Sequence, residues 1–340
     1  MKELVKEHMV LKGFEPAFHL RETEVAIFHL KRFFEQQLAE RLHLTHVSTP
    51  LFVKAGTGIN DNLNGEEQPV TFSARSIPEV AIEIVHSLAK WKRMALARYG
   101  CEPHTGLYTI MQAIRKDEEL DNLHSIYVDQ WDWEQVILKS ERTIATLQQV
   151  VTDIYEVLKD TELYAATLLP NYITELPKEI SFITSQELED QYPNLSGKER
   201  EDVIAKEKGA VFIMQIGHAL KSGVKHDGRS PDYDDWQLNG DIIVWNPILE
   251  RAFEVSSMGI RVDETALLDQ LKIAGCEERE QLLFHQAVLQ GKLPYSIGGG
   301  IGQSRVCMLL LRKAHIGEVQ ASVWPTEMEK EFSSADIHFL

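Results

Sequence analysis

The sequence predicts an α+β fold in which a mainly antiparallel sheet is flanked by helices. Strand patterns arrive as hairpins, at 106–114 with 124–134 and again within 240–262, rather than in strict alternation with helices. Helical patterns lie between these hairpins. With 340 residues, 44% of them hydrophobic, the chain can bury a large core. Because we find no repeat, low-complexity tract or clear linker, we expect one domain over residues 1–340.

The first half of the chain predicts two helices and several strands. Residues 22–42 place apolar side chains at helical intervals between charges, which indicates an amphipathic helix. Residues 45–65 begin β-branched, break at Pro50 and end rich in Gly and Asn, which indicates a strand entering a long loop. The expected elements that follow are a strand at 80–87, a helix at 88–100 closed by Gly100, a strand at 106–114, a charged loop at 115–123 and a strand at 124–134.

The second half continues with helices and apolar strands. A short apolar run bounded by glycines predicts a buried strand, and an Asn-Pro pair predicts the turn of a hairpin. The expected elements are helices at 140–166 and 196–208, a strand at 209–217, a charged loop at 224–236, two strands within 240–262, helices at 263–274 and 277–291, and a glycine loop at 296–302 followed by a helix from about Gln303.

Charge and cysteine content limit the possible functions. The formal charge of −17 opposes binding to a nucleic acid over a wide surface, because such binding needs clustered Lys and Arg. The sequence has no run of about 18 apolar residues and no apolar centre of a secretory signal near its start. Three well-separated cysteines indicate neither a disulfide framework nor a zinc site. We therefore expect a cytoplasmic protein without a nucleic-acid or membrane partner.

The stretch SIGGGIGQSR, which ends at Arg305, matches neither of the common glycine-rich nucleotide motifs. The third glycine of a dinucleotide fingerprint is missing, and Gln303-Ser304-Arg305 stands where a P-loop has Gly-Lys-Ser/Thr. Glycines still allow the backbone to approach a flat or charged ligand, and a helix starting at Gln303 would direct its amides toward an anion. The alternative is tight packing of a helix on a sheet, with Arg305 on a solvated edge.

Two segments resemble the signature motifs of the class II aminoacyl-tRNA synthetases, and the resemblance implies their catalytic core. LYTIMQAIRKDEELDNLHSIYVDQWDWE resembles motif 2, whose arginine binds the α-phosphate of ATP, and GGGIGQSR resembles motif 3, whose arginine binds the γ-phosphate. Two such arginines can clamp a bent triphosphate. The implied ATP-binding residues are Arg115, Asp117, Glu118, Gly298, Gly299, Gly300, Gly302 and Arg305, with Arg115 and Arg305 also catalytic.

Two acidic residues on adjacent apolar strands, Asp241 and Glu254, are candidate Mg²⁺ ligands. Carboxylates are hard oxygen ligands suited to Mg²⁺, which would bridge phosphate oxygens. In the class II pattern a glutamate in this strand is a metal ligand. The alternative is that both are ordinary acids at a strand edge.

Other matches imply that the amino acid substrate is aspartate. Arg261 matches the arginine with which aspartyl-tRNA synthetases hold the side-chain carboxylate of aspartate. HSLAKWK and VDQWDWE resemble segments that lie beside the bound amino acid in those enzymes, the second near its α-amino group. The implied aspartate-binding residues are Ser87, Lys92, Gln130, Asp132, Ser257 and Arg261.

From about residue 22 to 325 the chain resembles the ammonia-dependent asparagine synthetases, or aspartate–ammonia ligases. The matching stretches include VHSLAKWKR, HSIYVDQWDWE, PDYDDW, NGDIIVWNP and IGGGIGQSR. The implied reaction forms β-aspartyl-adenylate and pyrophosphate from aspartate and ATP, after which ammonia displaces AMP to give asparagine. Asp61 is the candidate for accepting the ammonia proton, with Asp227 or Asp232 as rivals and a helix-capping lid residue as the structural alternative.

The resemblance also predicts how the chain is organised. It implies a homodimer formed through residues 22–55, with neither an anticodon-binding nor a glutaminase domain, and free ammonia as nitrogen source. Two other functions stay open at this point. One is a stand-alone paralogue of the aspartyl- or asparaginyl-tRNA synthetases, and the other is a non-catalytic sensor that binds the amino acid with AMP.

Overall fold

The computed structural model describes residues 9–10, 18–63, 67–169 and 172–340. Its helices are α1 (Leu20–Arg41), α2 (Ala89–Tyr99), α3 (Ile144–Leu168), α4 (Ser185–Gln191), α5 (Gly197–Lys208), α6 (Glu264–Ala274), α7 (Leu283–Leu289), α8 (Gln303–Leu310) and α9 (Thr326–Ser334). Its strands are β1 (Leu44–His46), β2 (Phe52–Lys54), β3 (Thr71–Ala74), β4 (Ile77–Ile84), β5 (Gly106–Ile114), β6 (Tyr127–Val136), β7 (Ser181–Thr184), β8 (Ala210–Met214), β9 (Asp234–Asn246), β10 (Arg251–Arg261) and β11 (Ser296–Gly302).

An eight-stranded sheet forms the centre of the molecule, in the order β1-β5-β6-β11-β10-β9-β8-β7. The pairs at its two ends, β1 with β5 and β7 with β8, are parallel, and the pairs between them are antiparallel. The predicted fold class, a mainly antiparallel sheet flanked by helices, is therefore confirmed.

Alternation along β6 gives the sheet an apolar face and a polar face. Trp131 and Trp133 are fully buried, and the ring of Trp131 stacks on Phe34 of α1 with centroids 4.3 Å apart. Because successive side chains of a strand point to opposite faces, Gln130, Asp132 and Glu134 project on the side away from α1. The largest hydrophobic cluster thus lies on the α1 side, and on the other face the polar residues of β6 lie between smaller clusters that involve α2 and α5.

A smaller sheet, in the order β2-β4-β3, was not predicted. Its strand β4 corresponds to the strand expected at 80–87, and it ends just before the His86-Ser87 segment that leads into α2. The expected loop within 45–65 is interrupted by β2, and its last two residues, Asn64 and Gly65, lie outside the described residues. The small sheet holds the start of this loop beside α2.

Most predicted helices are present, with differences at their ends. Gly100 caps α2 in the left-handed conformation, as expected, and α3 begins at Ile144 because the Thr143 side chain accepts from the amide of Thr146. The helix expected at 277–291 is instead a 3₁₀ turn (Glu277–Gln281) followed by α7, because the intervening Leu282 is extended.

The prediction of a glycine loop at 296–302 was wrong, because this segment forms strand β11. It pairs antiparallel with both β6 and β10 and is followed by α8 from Gln303, as expected. Glycine weakens a strand interior, so the sequence pattern favoured a loop, and pairing on both sides overrides that preference. In the part of the chain that the structure describes, none of the helices combines the length and apolar character needed to span a bilayer.

Candidate active site

A cavity of about 460 Å³ opens on the polar face of the sheet. It is bounded by β6, β10 and β11, by α2 and the first turns of α5 and α8, and by loops that include Asp61, Arg115 and Arg229. The sequence-predicted residues that line it are Asp61, Ser87, Lys92, Arg115, Glu118, Gln130, Asp132, Glu254, Ser257, Arg261, Gly299, Gly300, Gly302 and Arg305. Of the other candidates, Asp227 also lines the cavity, whereas Asp117, Asp232, Asp241 and Gly298 lie outside its lining.

Strand register brings the cavity floor together from distant parts of the sequence. Gly300 pairs with Asp132 on one side and with Ser257 on the other, so these three residues form one row across β6, β11 and β10. A Cβ atom on Gly300 would collide with the Gln130 side chain and lie 3.0 Å from Asp132 Oδ1. The missing side chain therefore leaves room for two polar groups of β6.

Gly298 lies two residues before Gly300 in β11, and a side chain is excluded there for a different reason. A Cβ atom there would collide with the Glu134 carboxylate and lie 2.6 Å from Arg261 Nη2. This glycine makes room for a buried ion pair below the cavity. Gly298, predicted as an ATP-binding residue, is not part of the cavity lining.

Lys92 and Asp132 form a buried ion pair at one end of the cavity. Lys92 Nζ donates to Asp132 Oδ1 at 2.7 Å and to the carbonyl oxygen of Gly299 at 2.8 Å. Burial lowers the pKa of Lys92, and the Asp132 carboxylate opposes this effect. Asp132 Oδ2 has no hydrogen-bond partner among the described residues. One carboxylate oxygen thus remains available to a ligand ammonium group.

Arg261 is held by two carboxylates, Glu134 and Asp234. Its Nε and Nη2 donate to Glu134, and its Nη1 donates to Asp234. Burial alone would raise the pKa of Glu134, but the Arg261 guanidinium outweighs it and lowers that pKa. For Asp234 burial dominates, and its pKa is raised despite Arg261. Glu134 was not predicted as a site residue, although it lies two residues after Asp132 in the strand and therefore on the same face.

Arg115 is a cation with almost no protein partner. Its Nη2 is 3.5 Å from the carbonyl oxygen of His86, and its Nε has no hydrogen-bond partner in the described part of the chain. Among the described residues, no carboxylate forms an ion pair with it. A half-buried charge without a counterion is suited to binding an anionic ligand.

Arg305 lines the same cavity from the first turn of α8. Its Nη1 donates to the Glu254 carbonyl oxygen at 3.0 Å and lies 3.8 Å from Glu254 Oε2. The second distance is that of a weak ion pair, so the guanidinium keeps donors free. Arg115 and Arg305, 190 residues apart in sequence, therefore converge on one site.

The two candidate metal ligands have different surroundings. Glu254 lines the cavity; burial would raise its pKa, but the charges of Arg305 and Lys198 lower it. Asp241 lies behind it and accepts a hydrogen bond from Arg229 Nη2. Burial raises the pKa of Asp241 to about 7, with Arg229 opposing the rise. The Glu254 carboxylate faces the cavity and could bind Mg²⁺, whereas the Asp241 carboxylate is hydrogen-bonded to Arg229.

The three candidate proton acceptors lie in different places. Asp61 is 2% exposed and lines the cavity, where its Oδ2 accepts from Ser87 Oγ at 3.0 Å and its Oδ1 from the Leu63 amide. Asp227 lies at the rim in an ion pair with Lys198 at 3.3 Å. Asp232 is fully buried outside the lining, 3.2 Å from Lys90 and 3.0 Å from His285. Geometry favours Asp61 and Asp227 over Asp232.

Several lining residues carry no signal in the sequence that marks them as functional. The charged loop at 224–236 was recognised, but nothing in its pattern singled out Arg229 or Tyr233 from its other charged and aromatic members. Lys198 sits in the first turn of an ordinary amphipathic helix and carries no sequence signal. The lining residues that were not predicted as site residues from the sequence include Lys198, Arg229, Ser230, Tyr233, Asp234, Ser304 and Gln320.

Comparisons with known proteins show which family the chain resembles over its whole length. The family model for aspartate-ammonia ligase matches residues 21–336. The aspartate–ammonia ligase of Ruminiclostridium cellulolyticum is 59% identical over 340 residues, which cover all of both chains. That of Clostridium perfringens is 61% identical over 329 residues, 97% of this chain and 98% of the relative. That of Lactobacillus johnsonii is 57% identical over 330 residues, 97% and 98% of the two chains.

Solved structures share the fold at low sequence identity. The asparaginyl-tRNA synthetase from Pyrococcus horikoshii, complexed with asparaginyl-adenylate, aligns with a TM-score of 0.67 and 15% identity, covering 90% of this chain and 71% of that one. The aspartyl-tRNA synthetase from Entamoeba histolytica aligns with a TM-score of 0.58 and 14% identity, covering 88% and 58%. The predicted class II synthetase-like core is thereby confirmed as a fold.

Proposed function

Because the chain belongs to the aspartate–ammonia ligase family, we propose that it makes asparagine from aspartate, ATP and ammonia through a β-aspartyl-adenylate. The observation that carries this proposal is the convergence of Arg115 and Arg305 on one cavity that also holds the Lys92–Asp132 pair and Arg261. One end of the cavity offers cations for a triphosphate, and the other offers paired charges for an amino acid.

The first step brings together two anions, the aspartate β-carboxylate and ATP. A carboxylate oxygen attacks the α-phosphorus, the bond to the bridging oxygen breaks, and pyrophosphate leaves. Arg115 binds the α-phosphate and Arg305 the γ-phosphate, so bidentate hydrogen bonds offset the repulsion and hold the reacting groups in line. Lys198, at the rim beside Glu254, adds positive charge where pyrophosphate leaves.

The orientation of aspartate follows from which carboxylate reacts. The β-carboxylate must face the α-phosphate, so Arg261 holds the α-carboxylate. A guanidinium has five N–H donors, of which Glu134 and Asp234 engage three, leaving two for the substrate. Asp132 Oδ2 accepts from the α-ammonium group, with Gln130 and Ser257 beside it. Ser87 lines the same cavity and donates from its Oγ to Asp61 Oδ2.

The second step consumes ammonia. Its nitrogen attacks the β-carbonyl carbon of the adenylate, the carbon–oxygen bond to AMP breaks, and a proton leaves the nitrogen. Asp61 attracts ammonium and accepts the proton that the ion must lose before its nitrogen can attack, because it is a buried carboxylate that lines the cavity. The proton lost from the nitrogen after attack passes to solvent. Free ammonia is the nitrogen source, in keeping with the names of the relatives.

We propose that Mg²⁺ would be held by Glu254, and also by Asp241 if Arg229 released its carboxylate. The oxygen donors of both residues match the preference of this ion. When bound, Mg²⁺ would neutralise phosphate charge. Before the nucleotide binds, Arg229 supplies a positive charge near the same two carboxylates.

The proposed assembly is a homodimer formed through residues 22–55, a single catalytic domain in each subunit. Large apolar side chains in this segment are solvent-exposed, including Val25 at 52%, Phe28 at 56% and Phe52 at 50%. Burying them in a second copy would be favourable. The proposed compartment is the cytoplasm, which suits three free cysteines.

The direct test of this function identifies the products. Purified protein is incubated with ATP, Mg²⁺ and aspartate, together with either ammonium or glutamine. We expect AMP, pyrophosphate and asparagine with ammonium, and little asparagine with glutamine. Formation of ADP, or transfer of labelled aspartate to tRNA without need for ammonium, would contradict it. No aspartate-dependent release of pyrophosphate would leave a non-catalytic sensor as the better description.

A further inference from the structure

One end of the cavity differs in chemistry from the rest. Most lining residues are charged or polar, but at this end the lining includes Leu123 and Ile316, which belong to the same hydrophobic cluster as Val306 and Cys307 of α8. The amide of Ile316 donates to the carbonyl oxygen of Asn122 at 2.8 Å, which joins the two segments that carry these side chains. This end adjoins Arg305 through Ser304. An apolar slot beside a phosphate-binding cation is suited to a planar base.

Gln320 lines this end of the cavity and is fixed by its neighbours. It is 5% exposed, and its Nε2 donates to Asp129 Oδ1 at 3.3 Å and to Ser304 Oγ at 3.1 Å. Asp129 is itself held by Lys31 Nζ at 2.8 Å and by the Ser304 amide at 3.1 Å.

The same contacts decide which way the Gln320 amide points. An ionised carboxylate only accepts hydrogen bonds, so the amide nitrogen must face Asp129. The opposite rotamer would place oxygen against oxygen. Gln320 Oε1 is left buried, without a hydrogen-bond partner among the described residues. Buried polar atoms of this kind are uncommon and call for an explanation.

A bound nucleotide can supply the missing donor. The adenine base of ATP has one hydrogen-bond donor, its 6-amino group, whereas guanine and hypoxanthine carry an oxygen at the same position. An acceptor held in place by Asp129 would pair with the amino group and repel the oxygen. Such a fixed, desolvated polar group discriminates strongly between substrates, because the wrong one leaves it unpaired.

We propose that Gln320 selects adenine by accepting a hydrogen bond from the 6-amino group of ATP through Oε1. This inference rests on the proposed function, since it presumes that ATP occupies the cavity. It assigns a base-recognition role to a residue outside both synthetase-like motifs. Asp129 and Lys31 act as positioning residues that fix the amide.

The test uses Gln320→Met, which keeps the side-chain length and removes the acceptor. Binding of ATP, of purine riboside triphosphate, which lacks the 6-amino group, and of inosine triphosphate is measured by calorimetry. We expect the variant to bind ATP about tenfold more weakly, as for the loss of one buried hydrogen bond. Its affinity for purine riboside triphosphate should equal that of the wild type. Gln237→Met, at an exposed position outside the cavity, controls for the substitution itself.

Equal losses for ATP and purine riboside triphosphate would overturn the proposal, because they would indicate a ribose contact or a structural role. The wild type provides a second measurement that needs no variant. It should bind ATP about tenfold more tightly than purine riboside triphosphate, and inosine triphosphate more weakly than either; no preference would also overturn the proposal. Nucleotide binding is read separately from asparagine formation, so failure of the proposed reaction and failure of base recognition are distinguishable.

Discussion

At the scale of single residues, the cations of the site differ in how closely they are paired with carboxylates. Lys92 and Arg261 are buried with carboxylate partners at hydrogen-bond distance, whereas Arg115 has none among the described residues and Arg305 only a weak one. A cation paired with a carboxylate still offers hydrogen-bond donors to a ligand but adds no net charge. An unpaired cation makes that part of the cavity positive. The amino acid end therefore suits a zwitterion, and the other end suits a polyanion.

Replacing Arg305 with alanine removes a donor to the developing charge of the first step. We expect aspartate-dependent pyrophosphate release to lose about a hundredfold or more in kcat/KM, the cost usual for removing one such donor. Arg98→Ala, an exposed arginine of α2, is the control. Activity of Arg305→Ala within tenfold of the wild type would contradict the γ-phosphate role.

Replacing Asp61 with asparagine separates the two steps. The change keeps the shape but removes the base, so aspartate-dependent exchange of pyrophosphate into ATP should persist while asparagine formation slows. The two rates are measured on the same preparation, with Asp227→Asn as the comparison for the rival acid. If both rates fall together in Asp61→Asn, the residue binds substrate and does not accept the proton.

At the scale of elements, Asp232 connects segments that carry the site. It lies within the loop that brings Arg229 and Tyr233 to the cavity, and it contacts Lys90 of α2 and His285 of α7. Burial alone would raise the pKa of Asp232, but the Lys90 ammonium and the hydrogen bond with His285 hold it well below its ordinary value. The loop is thereby tied to the helix that presents Lys92.

Asp232→Asn should destabilise the fold, because it leaves the Lys90 charge buried without a counterion. We expect a loss of about 3–5 kcal/mol in the free energy of unfolding, measured by urea denaturation at neutral pH. Asp190→Asn, which breaks the exposed pair with Lys221, should change it little. Because the folded-state pKa is lowered, the advantage of the wild type should shrink as pH falls below about 4. A pH-independent difference would contradict this origin.

The elements also show what sequence could predict and why the rest escaped it. Asp132 and Gln130 are spaced two apart on a strand, so their common face was readable, and Gly100 marked the end of α2. The strand character of 296–302 depends on pairing with β6 and β10, which no local pattern reports. The partners of Asp241 and Asp232, namely Arg229, Lys90 and His285, come from other segments, so their ion pairs follow from tertiary packing alone.

At the scale of the whole molecule, the fold places its hydrophobic core and its chemistry on opposite faces of one sheet. The core on the side of α1 and α3 fixes the central strands, and the polar face then holds residues from Asp61 to Gln320 around one cavity. Such rigidity matters because two anions must be kept in line for reaction. The family relationship and the cavity thus point to the same chemistry by separate routes.

The most direct measurement of that chemistry follows the oxygen that joins the two substrates. Aspartate carrying ¹⁸O in both β-carboxylate positions is converted with ATP, Mg²⁺ and ammonium, and the products are analysed by mass spectrometry. The β-carboxylate attack on the α-phosphate predicts one ¹⁸O in AMP and one remaining in asparagine. Label in pyrophosphate or inorganic phosphate, or AMP without label, would contradict the proposed adenylate.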